Sequence, residues 1–212
     1  MIKSTLLVSA LLLALAGSAD ADGVTYDVTV NTSSIAGTSG SLDFQFNPGP
    51  LATQAANLQI QSFMPGGGVG TAVSTGDVTG ALPGTITFDN GSGYNDYFTG
   101  FTYGSTLSFL VNLYGPAVST PDGVSTSGSM FSFSMFSDPG GTMPVLTSDT
   151  TDGYAFTVAI NLDGSTTPTN YSSELTATPV NAVATPEPGT LLLFVLGLAG
   201  FALLRKQQSA CC

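Results

Sequence analysis

Apolar and polar residues alternate along much of the chain with the period of two that β-strands require. In the first run, Val24, Tyr26, Val28 and Val30 alternate with Thr, Asp and Asn residues. Weaker runs cover residues 96–103 and 173–178. The other apolar sets are Leu42, Phe44 and Phe46; Leu58 and Ile60; Ile86 and Phe88; Leu107, Phe109, Val111 and Leu113; Phe131, Phe133 and Met135; and Tyr154, Phe156, Val158, Ile160 and Leu162. The pattern predicts about nine or ten strands, each with one face in a core.

Turn-forming residues separate these runs, as at Asp152-Gly153 and Asp163-Gly164. Glycine tolerates a positive φ, and proline fixes a bend, so such pairs are typical of turns between strands. No amphipathic helical segment lies between the runs. We therefore expect an all-β domain, an antiparallel β-sandwich with a jelly-roll-like arrangement; a closed barrel is the alternative.

Three predicted connections are long and rich in Gly, Pro, Ser and Thr: residues 47–56, 63–76 and 115–128. Loops that a rigid scaffold holds in place often carry binding residues. These three are therefore the expected position of a binding surface, although each is also compatible with a plain solvated loop.

Basic residues are confined to the two ends of the chain, at Lys3, Arg205 and Lys206, and histidine is absent. Against them stand 14 acidic residues, which gives a net charge of −11. Without a cation between residues 22 and 185, the domain lacks the electrostatic attraction that nucleic-acid binding needs. It also lacks the base of Ser-His-Asp, Cys-His and Ser-Lys catalysis. We predict no catalytic residue and no nucleic-acid partner.

The N-terminus has the pattern of a secretory signal peptide, predicted at residues 1–21. A short basic start is followed by apolar residues 6–16 and by small residues that permit cleavage after Ala19 or Ala21. Eleven helical residues span about 17 Å, which is too short for an uncleaved membrane anchor. We therefore expect a cleavable signal.

The alternation of apolar and polar residues ends at the C-terminal end of the predicted domain, which covers residues 22–178. Residues 179–185 have no alternation and lead towards two prolines, which cannot donate backbone hydrogen bonds, so an extended linker is predicted. The final residues, 207–212, form a short tail that holds both cysteines of the chain. The domain itself therefore has no disulfide or thiol ligand.

A short proline-flanked motif, Pro186-Glu187-Pro188, stands directly before an apolar run. The run predicts a single transmembrane helix at residues 190–204, somewhat short for a hydrocarbon core of about 30 Å. Arg205 and Lys206 follow as a basic stop on the cytoplasmic side, so the β domain is expected outside. A permanent single-span anchor is the alternative to a transient one.

This succession over about residues 184–206 resembles the C-terminal sorting segment of PEP-CTERM proteins. The resemblance implies recognition by an exosortase, a membrane protease of Gram-negative bacteria, and cleavage near the motif. It also implies a link with extracellular polysaccharide and biofilm. The expected route is export, an inner-membrane intermediate held by the C-terminal helix, and then the cell surface or the extracellular space.

For the domain itself, three classes of function are open. The leading hypothesis is a non-catalytic surface or matrix protein without a cofactor. The second is a calcium-dependent carbohydrate-binding module, in which Asp89, Asn90 and Asp96 would supply oxygen ligands. The third is a glycoside hydrolase that uses two carboxyl groups, which needs neither His nor Lys. With acids scattered along the whole domain, the sequence identifies no catalytic pair.

Overall fold

The computed structural model describes residues 23–180, which form twelve β-strands, one 3₁₀ turn at Ser33–Ile35 and the short helix α1 at Pro116–Ser119. In this part of the chain, no helix is long and apolar enough to span a bilayer. The predicted signal peptide, the sorting segment at 186–206 with its helix at 190–204, and the tail at 207–212 lie outside the described residues.

The strands form two six-stranded sheets, and every ladder between named strands is antiparallel. The all-β, antiparallel two-sheet prediction is therefore confirmed. Sheet 1 has the spatial order β12 (Leu175–Val180), β1 (Val24–Asn31), β8 (Thr106–Tyr114), β3 (Asn57–Met64), β6 (Ile86–Asp89) and β5 (Val78–Gly80). Sheet 2 has the order β11 (Thr166–Asn170), β10 (Tyr154–Ile160), β9 (Ser129–Phe136), β2 (Ser39–Pro48), β7 (Asp96–Thr102) and β4 (Gly68–Thr75).

The core lies between the two sheets and is rich in phenylalanine. Phe44 of sheet 2 and Phe109 of sheet 1 meet edge to face at 5.3 Å, and Phe109 contacts Phe133 at 5.0 Å. All three rings are buried, as the alternation predicts. Aromatic pairs of this kind contribute about 0.5–1.5 kcal/mol each beyond the area that they bury.

The first and last strands lie side by side at one margin of sheet 1. Thr25 of β1 pairs with Val180 of β12, and Val30 pairs with Leu175. The last strand continues through Pro179 and Val180, past the predicted end of the domain at residue 178.

Three strands were not predicted from the sequence. β4 lies within the segment 63–76, which was expected to be a loop, while β5 and β11 were not recognised at all. Leu162, which was expected on the inner face of the preceding strand, is 51% exposed beyond the end of β10. β4 and β11 are edge strands with almost no buried residues, so they lack the apolar alternation that identifies a half-buried strand.

Candidate functional site

A continuous row of polar residues crosses the face of sheet 2 that points away from the core. Its members are paired strand by strand, one on each of the six strands. Their neighbours along each strand, such as Phe44 and Tyr97, fill the core. Because side chains alternate between the two faces of a strand, this row lies on the face opposite the core, where Ser132 and Thr157 are nevertheless buried, at 3% and 4% exposure. We call it the polar row: Thr169, Thr157, Ser132, Gln45, Asp96 and Thr75.

A second carboxyl group lies beside the polar row, at Asp43. Gln45 is the register partner of Asp96, and Asp43 lies two positions before Gln45 on the same face of β2. The Asp43 and Asp96 carboxyls are therefore diagonal neighbours on adjacent strands, within hydrogen-bonding reach of each other. Asp43 Oδ1 and Asp96 Oδ1 are both buried, and neither receives a hydrogen bond from any described residue.

Burial raises the pKa of Asp43 to about 8, and the hydrogen bond and negative charge of Asp96 act in the same direction. Gln45 opposes the shift, because its Nε2 donates to Asp43 Oδ2 at 2.7 Å. Two ionised carboxylates can only accept hydrogen bonds, so contact between them requires a proton. Residues 23–180 contain no Lys, Arg or His that could neutralise the pair instead. At neutral pH the two groups therefore share one proton, as closely spaced carboxyls do.

Two tyrosines lie near this pair. Burial raises the pKa of Tyr94, and the charges of Asp96 and Asp43 raise it further. Burial likewise raises the pKa of Tyr154, with smaller contributions from Asp152 and Asp43. Tyr94 is 50% exposed, so the Asp43–Asp96 pair lies beside an aromatic side chain that solvent can reach.

The geometry of the pair bears on the hydrolase hypothesis. Retaining glycosidases hold their two carboxyl groups about 5–5.5 Å apart, and inverting enzymes hold them farther apart. Carboxyls in hydrogen-bond contact, such as Asp43 and Asp96, are closer than either arrangement. This pair is therefore not arranged for general-acid and nucleophile work on a glycosidic bond.

Of the three predicted calcium ligands, Asn90 uses its side-chain amide for hydrogen bonds within the fold. Its side chain is 8% exposed, and its Oδ1 accepts from the backbone N–H of Ala56 at 2.9 Å. Its Nδ2 donates to the carbonyl of Gln54 and to Ser129 Oγ, both at 2.8 Å. The amide thus joins the end of β6 to the start of β9 in the other sheet.

Asp89 and Asp96 belong to different sheets. Asp89 ends β6, where its Oδ1 accepts from the backbone N–H of Gly91 and its Oδ2 accepts from Asn57 Nδ2. Asp96 begins β7 beside Asp43. The side chains of the three predicted ligands therefore contact different groups of the protein. Among residues 23–180, no group of three or more His, Cys, Asp or Glu side chains could hold a metal ion.

The loops expected to carry a binding surface enclose little space. Residues of 47–56 and 115–128 line a cavity of about 10 Å³ near Ser129, which has room for about one water molecule. A larger surface hollow, of about 590 Å³, lies between residues 146–148 and 170–174. The sequence reasoning did not point to this region.

Sequence reasoning named Asp96 but missed Asp43, Tyr94 and Tyr154. A signal for Asp43 was present, because it alternates with Leu42 and Phe44 in a predicted strand and so belongs to the outer face. Its closeness to Asp96 depends on the pairing of β2 with β7, which alternation alone does not specify.

Comparison with known proteins finds a match in the C-terminal part of the chain. Residues 184–206 match the family model described as the PEP-CTERM protein-sorting motif. The chain carries a PEP-CTERM sorting motif. This confirms the resemblance, and the PEP-CTERM motif supports an exported protein that an exosortase sorts. Pro186, Glu187, Pro188, Arg205 and Lys206 all belong to the matched residues, which lie outside the part of the chain that the structure describes. No curated protein and no solved structure matches the chain.

Proposed function

We propose that the protein is a non-catalytic cell-surface or extracellular-matrix component, cleaved by an exosortase near Pro186-Glu187-Pro188 and associated with exopolysaccharide. The observation that carries this proposal is the sorting motif at residues 184–206, which follows a folded domain whose last strand ends at Val180. Only a short stretch of chain separates the last strand from the motif. The motif begins beyond the last strand, so cleavage there would remove no strand of the sandwich.

The sequence of the C-terminal segment supports a transient membrane stage. The apolar run at 190–204 would hold the exported chain, with Arg205 and Lys206 on the cytoplasmic side. Cleavage near the motif would then release the domain, which itself carries no Lys, Arg or His. The mature product would be an acidic β-sandwich at the cell surface or outside the cell.

Two features of the domain bear on the proposal. The strand order places β1 beside β8 and β2 beside β7, which supports the jelly-roll-like description. The direct contact between the Asp43 and Asp96 carboxyls argues against glycoside hydrolysis by this pair, because their spacing does not suit that reaction.

A calcium-dependent carbohydrate-binding module is the second candidate. Its support is the group of oxygen-bearing side chains at Asp89, Asn90 and Asp96, since calcium binds oxygen ligands. The separate surroundings of Asp89, Asn90 and Asp96 make these three residues a weak calcium site.

The first candidate predicts a defined C-terminus for the exported protein. Intact-mass spectrometry of the protein recovered from the cell surface or the medium should show a chain that ends near Pro188. A Pro186→Ala, Pro188→Ala double variant should keep the complete C-terminal segment and stay with the membrane fraction. A Pro179→Ala variant, changed in β12 and outside the motif, is the matched control and should be processed normally.

One result would contradict the proposed processing. If the surface form of the natural chain retained Cys211 and Cys212, the segment would be a permanent anchor and the proposed processing would be wrong.

A further inference from the structure

We propose that one end of the sandwich rests on the surface of a zwitterionic lipid bilayer, with the exposed side chains of Leu51, Val124 and Leu162 inserted among the headgroups. This inference rests on the proposed function, whose membrane stage brings the domain to a bilayer. It goes further in naming the surface of the domain that contacts lipid and the charge class of that lipid.

The surface lies at the end of the sandwich where β1 begins and β12 ends. In sheet 1, Val24 at the start of β1 pairs with Leu113 near the end of β8. In sheet 2, Pro48 at the end of β2 pairs with Ser129 at the start of β9. Asn90, directly after β6 of sheet 1, donates to Ser129 Oγ, so the two sheets share this end. We call it the exit end, and its connections are residues 49–56, 90–95, 115–128 and 161–165.

Large apolar side chains that solvent reaches are concentrated at the exit end. Val124 is 78% exposed, Leu51 is 65% exposed and Leu162 is 51% exposed. Of the nine such side chains in residues 23–180, six lie at or beside this end: Leu51, Tyr94, Val124, Met130, Leu162 and Val180. A single exposed apolar residue is ordinary on a protein surface, but a group of them at one end of a fold indicates an interaction surface.

Leu51, Val124 and Leu162 belong to three connections that lie against one another. The cavity of about 10 Å³ is lined jointly by Thr53, Ser125 and Leu162. Thr53 is two residues from Leu51, and Ser125 directly follows Val124. One contiguous group of loops therefore carries all three apolar side chains.

Hydrogen bonds hold two of these loops in place. Gln54 Nε2 donates to the carbonyl of Thr120, and Gln54 Oε1 accepts from the backbone N–H of Asp122, both at 2.9 Å. Asp122 Oδ1 in turn accepts from the backbone N–H of Val124 at 3.0 Å. Because the loop backbone is already ordered, contact with lipid would cost little further conformational entropy.

The length of the connecting chain favours a bilayer as the partner of this end. β12 ends at Val180, and the apolar run begins at residue 190. Ten extended residues span at most about 36 Å. The ten residues of β2 measure about 33 Å, which is close to the length of the sandwich. The exit end can therefore meet a bilayer that holds the run, whereas the opposite end could meet it only with the linker stretched along the whole sandwich.

The charge of the exit end selects the lipid. Asp122 and Asp163 lie in its loops, and residues 23–180 contain no Lys, Arg or His. An anionic bilayer would repel these carboxylates, and no cation of the domain could offset the repulsion. A zwitterionic surface carries no net charge. Apolar side chains can enter its boundary between headgroups and acyl chains.

The chain contains no tryptophan, so single Trp substitutions report lipid contact at chosen positions. The full-length chain is placed in phosphatidylcholine vesicles in which part of the lipid carries bromine, a quencher of Trp fluorescence, near the headgroup. We expect Val124→Trp and Leu51→Trp to lose most of their emission. Met143→Trp, exposed in the connection after β9 at the opposite end, should keep its emission. Leu198→Trp, within the apolar run and tested with bromine deep in the acyl chains, reports separately whether the run is inserted.

A second set of variants separates docking of the exit end from mere tethering near the bilayer. In a Leu51→Ser, Val124→Ser background, quenching of Leu162→Trp should fall at least about threefold, because most of the apolar area that contacts lipid is lost. A Met64→Ser, Met143→Ser background changes two side chains that are exposed to a similar extent but lie at the opposite end, and should leave this quenching unchanged. A thermal melt of each variant checks that it is folded.

Three results would overturn the inference, provided that Leu198→Trp is quenched. They are unquenched Val124→Trp and Leu51→Trp, equal quenching of Val124→Trp and Met143→Trp, and stronger quenching when anionic phosphatidylglycerol replaces phosphatidylcholine. The first result would leave a protein as the partner of the exit end. Unquenched Leu198→Trp would instead contradict the membrane stage of the proposed function, and the inference with it.

Discussion

At the scale of single residues, the Asp43 carboxyl makes the stability of the protein depend on pH. It lies between Leu42 and Phe44, both fully buried, and faces Asp96 instead of a cation. The folded state therefore holds its proton more tightly than the unfolded chain does. Such a group adds stability that is complete below the unfolded pKa of 3.8 and is lost as pH rises to the folded value of about 8.

Asp43→Asn should remove this dependence. The amide carries no charge and can donate to Asp96, so the variant should melt higher than the natural protein at pH 8, by at least about 3 °C, the shift that 1 kcal/mol gives a domain of this size. The gain should shrink as pH falls towards 4, near the unfolded pKa of 3.8, because Asp43 then begins to take up a proton in the unfolded state as well. Calorimetric melts across this pH range measure the difference.

Asp27→Asn is the control for a general charge effect, because Asp27 is exposed on β1 and lies on the other sheet. It should change the melting temperature little at any pH in the range. Equal pH profiles for Asp43→Asn and the natural protein would show that the pair does not share a proton.

At the scale of elements, the corner after β6 depends on one buried amide. Asn90 connects the segment that precedes β3, through Gln54 and Ala56, with Ser129 at the start of β9. No other residue type offers a donor and an acceptor at these positions with the same shape. Its role is therefore to join the two sheets at this end of the sandwich.

Asn90→Ala should lower the melting temperature by roughly 5–10 °C. The variant leaves the N–H of Ala56 and the carbonyl of Gln54 without their side-chain partner, at a cost of about 2–3 kcal/mol. Asn161→Ala is the matched control, since the Asn161 amide also donates two hydrogen bonds but in an exposed hairpin. Its loss should cost less than half as much. Equal melting temperatures for the two variants would contradict the role assigned to Asn90.

The elements also show where sequence patterning succeeds. Strands with one face in the core, such as β1, β8 and β10, were predicted because their apolar residues recur with period two. β4 and β11 were missed, because an edge strand with exposed residues on both faces carries no such period, and Pro168 in β11 argues against a strand. The outward direction of Asp43 was implicit in the same pattern. Its contact with Asp96 was not, because residues far apart in the chain meet only through the register of β2 and β7.

At the scale of the whole molecule, the described domain is stabilised without any ion pair that involves Lys, Arg or His, since residues 23–180 contain none of these. All charge–charge interactions between its side chains are repulsive. Repulsion among like charges destabilises a compact state, and dissolved salt weakens it. Salt should therefore stabilise this protein.

Raising NaCl from about 0.01 M to about 1 M shortens the Debye length from about 30 Å to about 3 Å and should raise the melting temperature by several degrees. Thermal melts at a fixed neutral pH measure the effect. In an Asp27→Lys variant, which replaces one exposed negative charge by a positive one, the rise should be smaller. A melting temperature of the natural protein that falls with salt, or a rise in the variant as large as that of the natural protein, would mean that repulsion does not limit stability.

The pairing of β1 with β12 has one more consequence for the domain as a whole. Thr25 and Val180 are neighbours across a single ladder, so the two ends of the sandwich emerge at the same margin. A domain with adjacent ends can be spliced into a surface loop of another protein, or have its ends joined and be reopened at an exposed turn such as Asp163-Gly164, without moving any strand. The sandwich is therefore a self-contained unit, and its strand arrangement does not depend on which strand comes first in the chain.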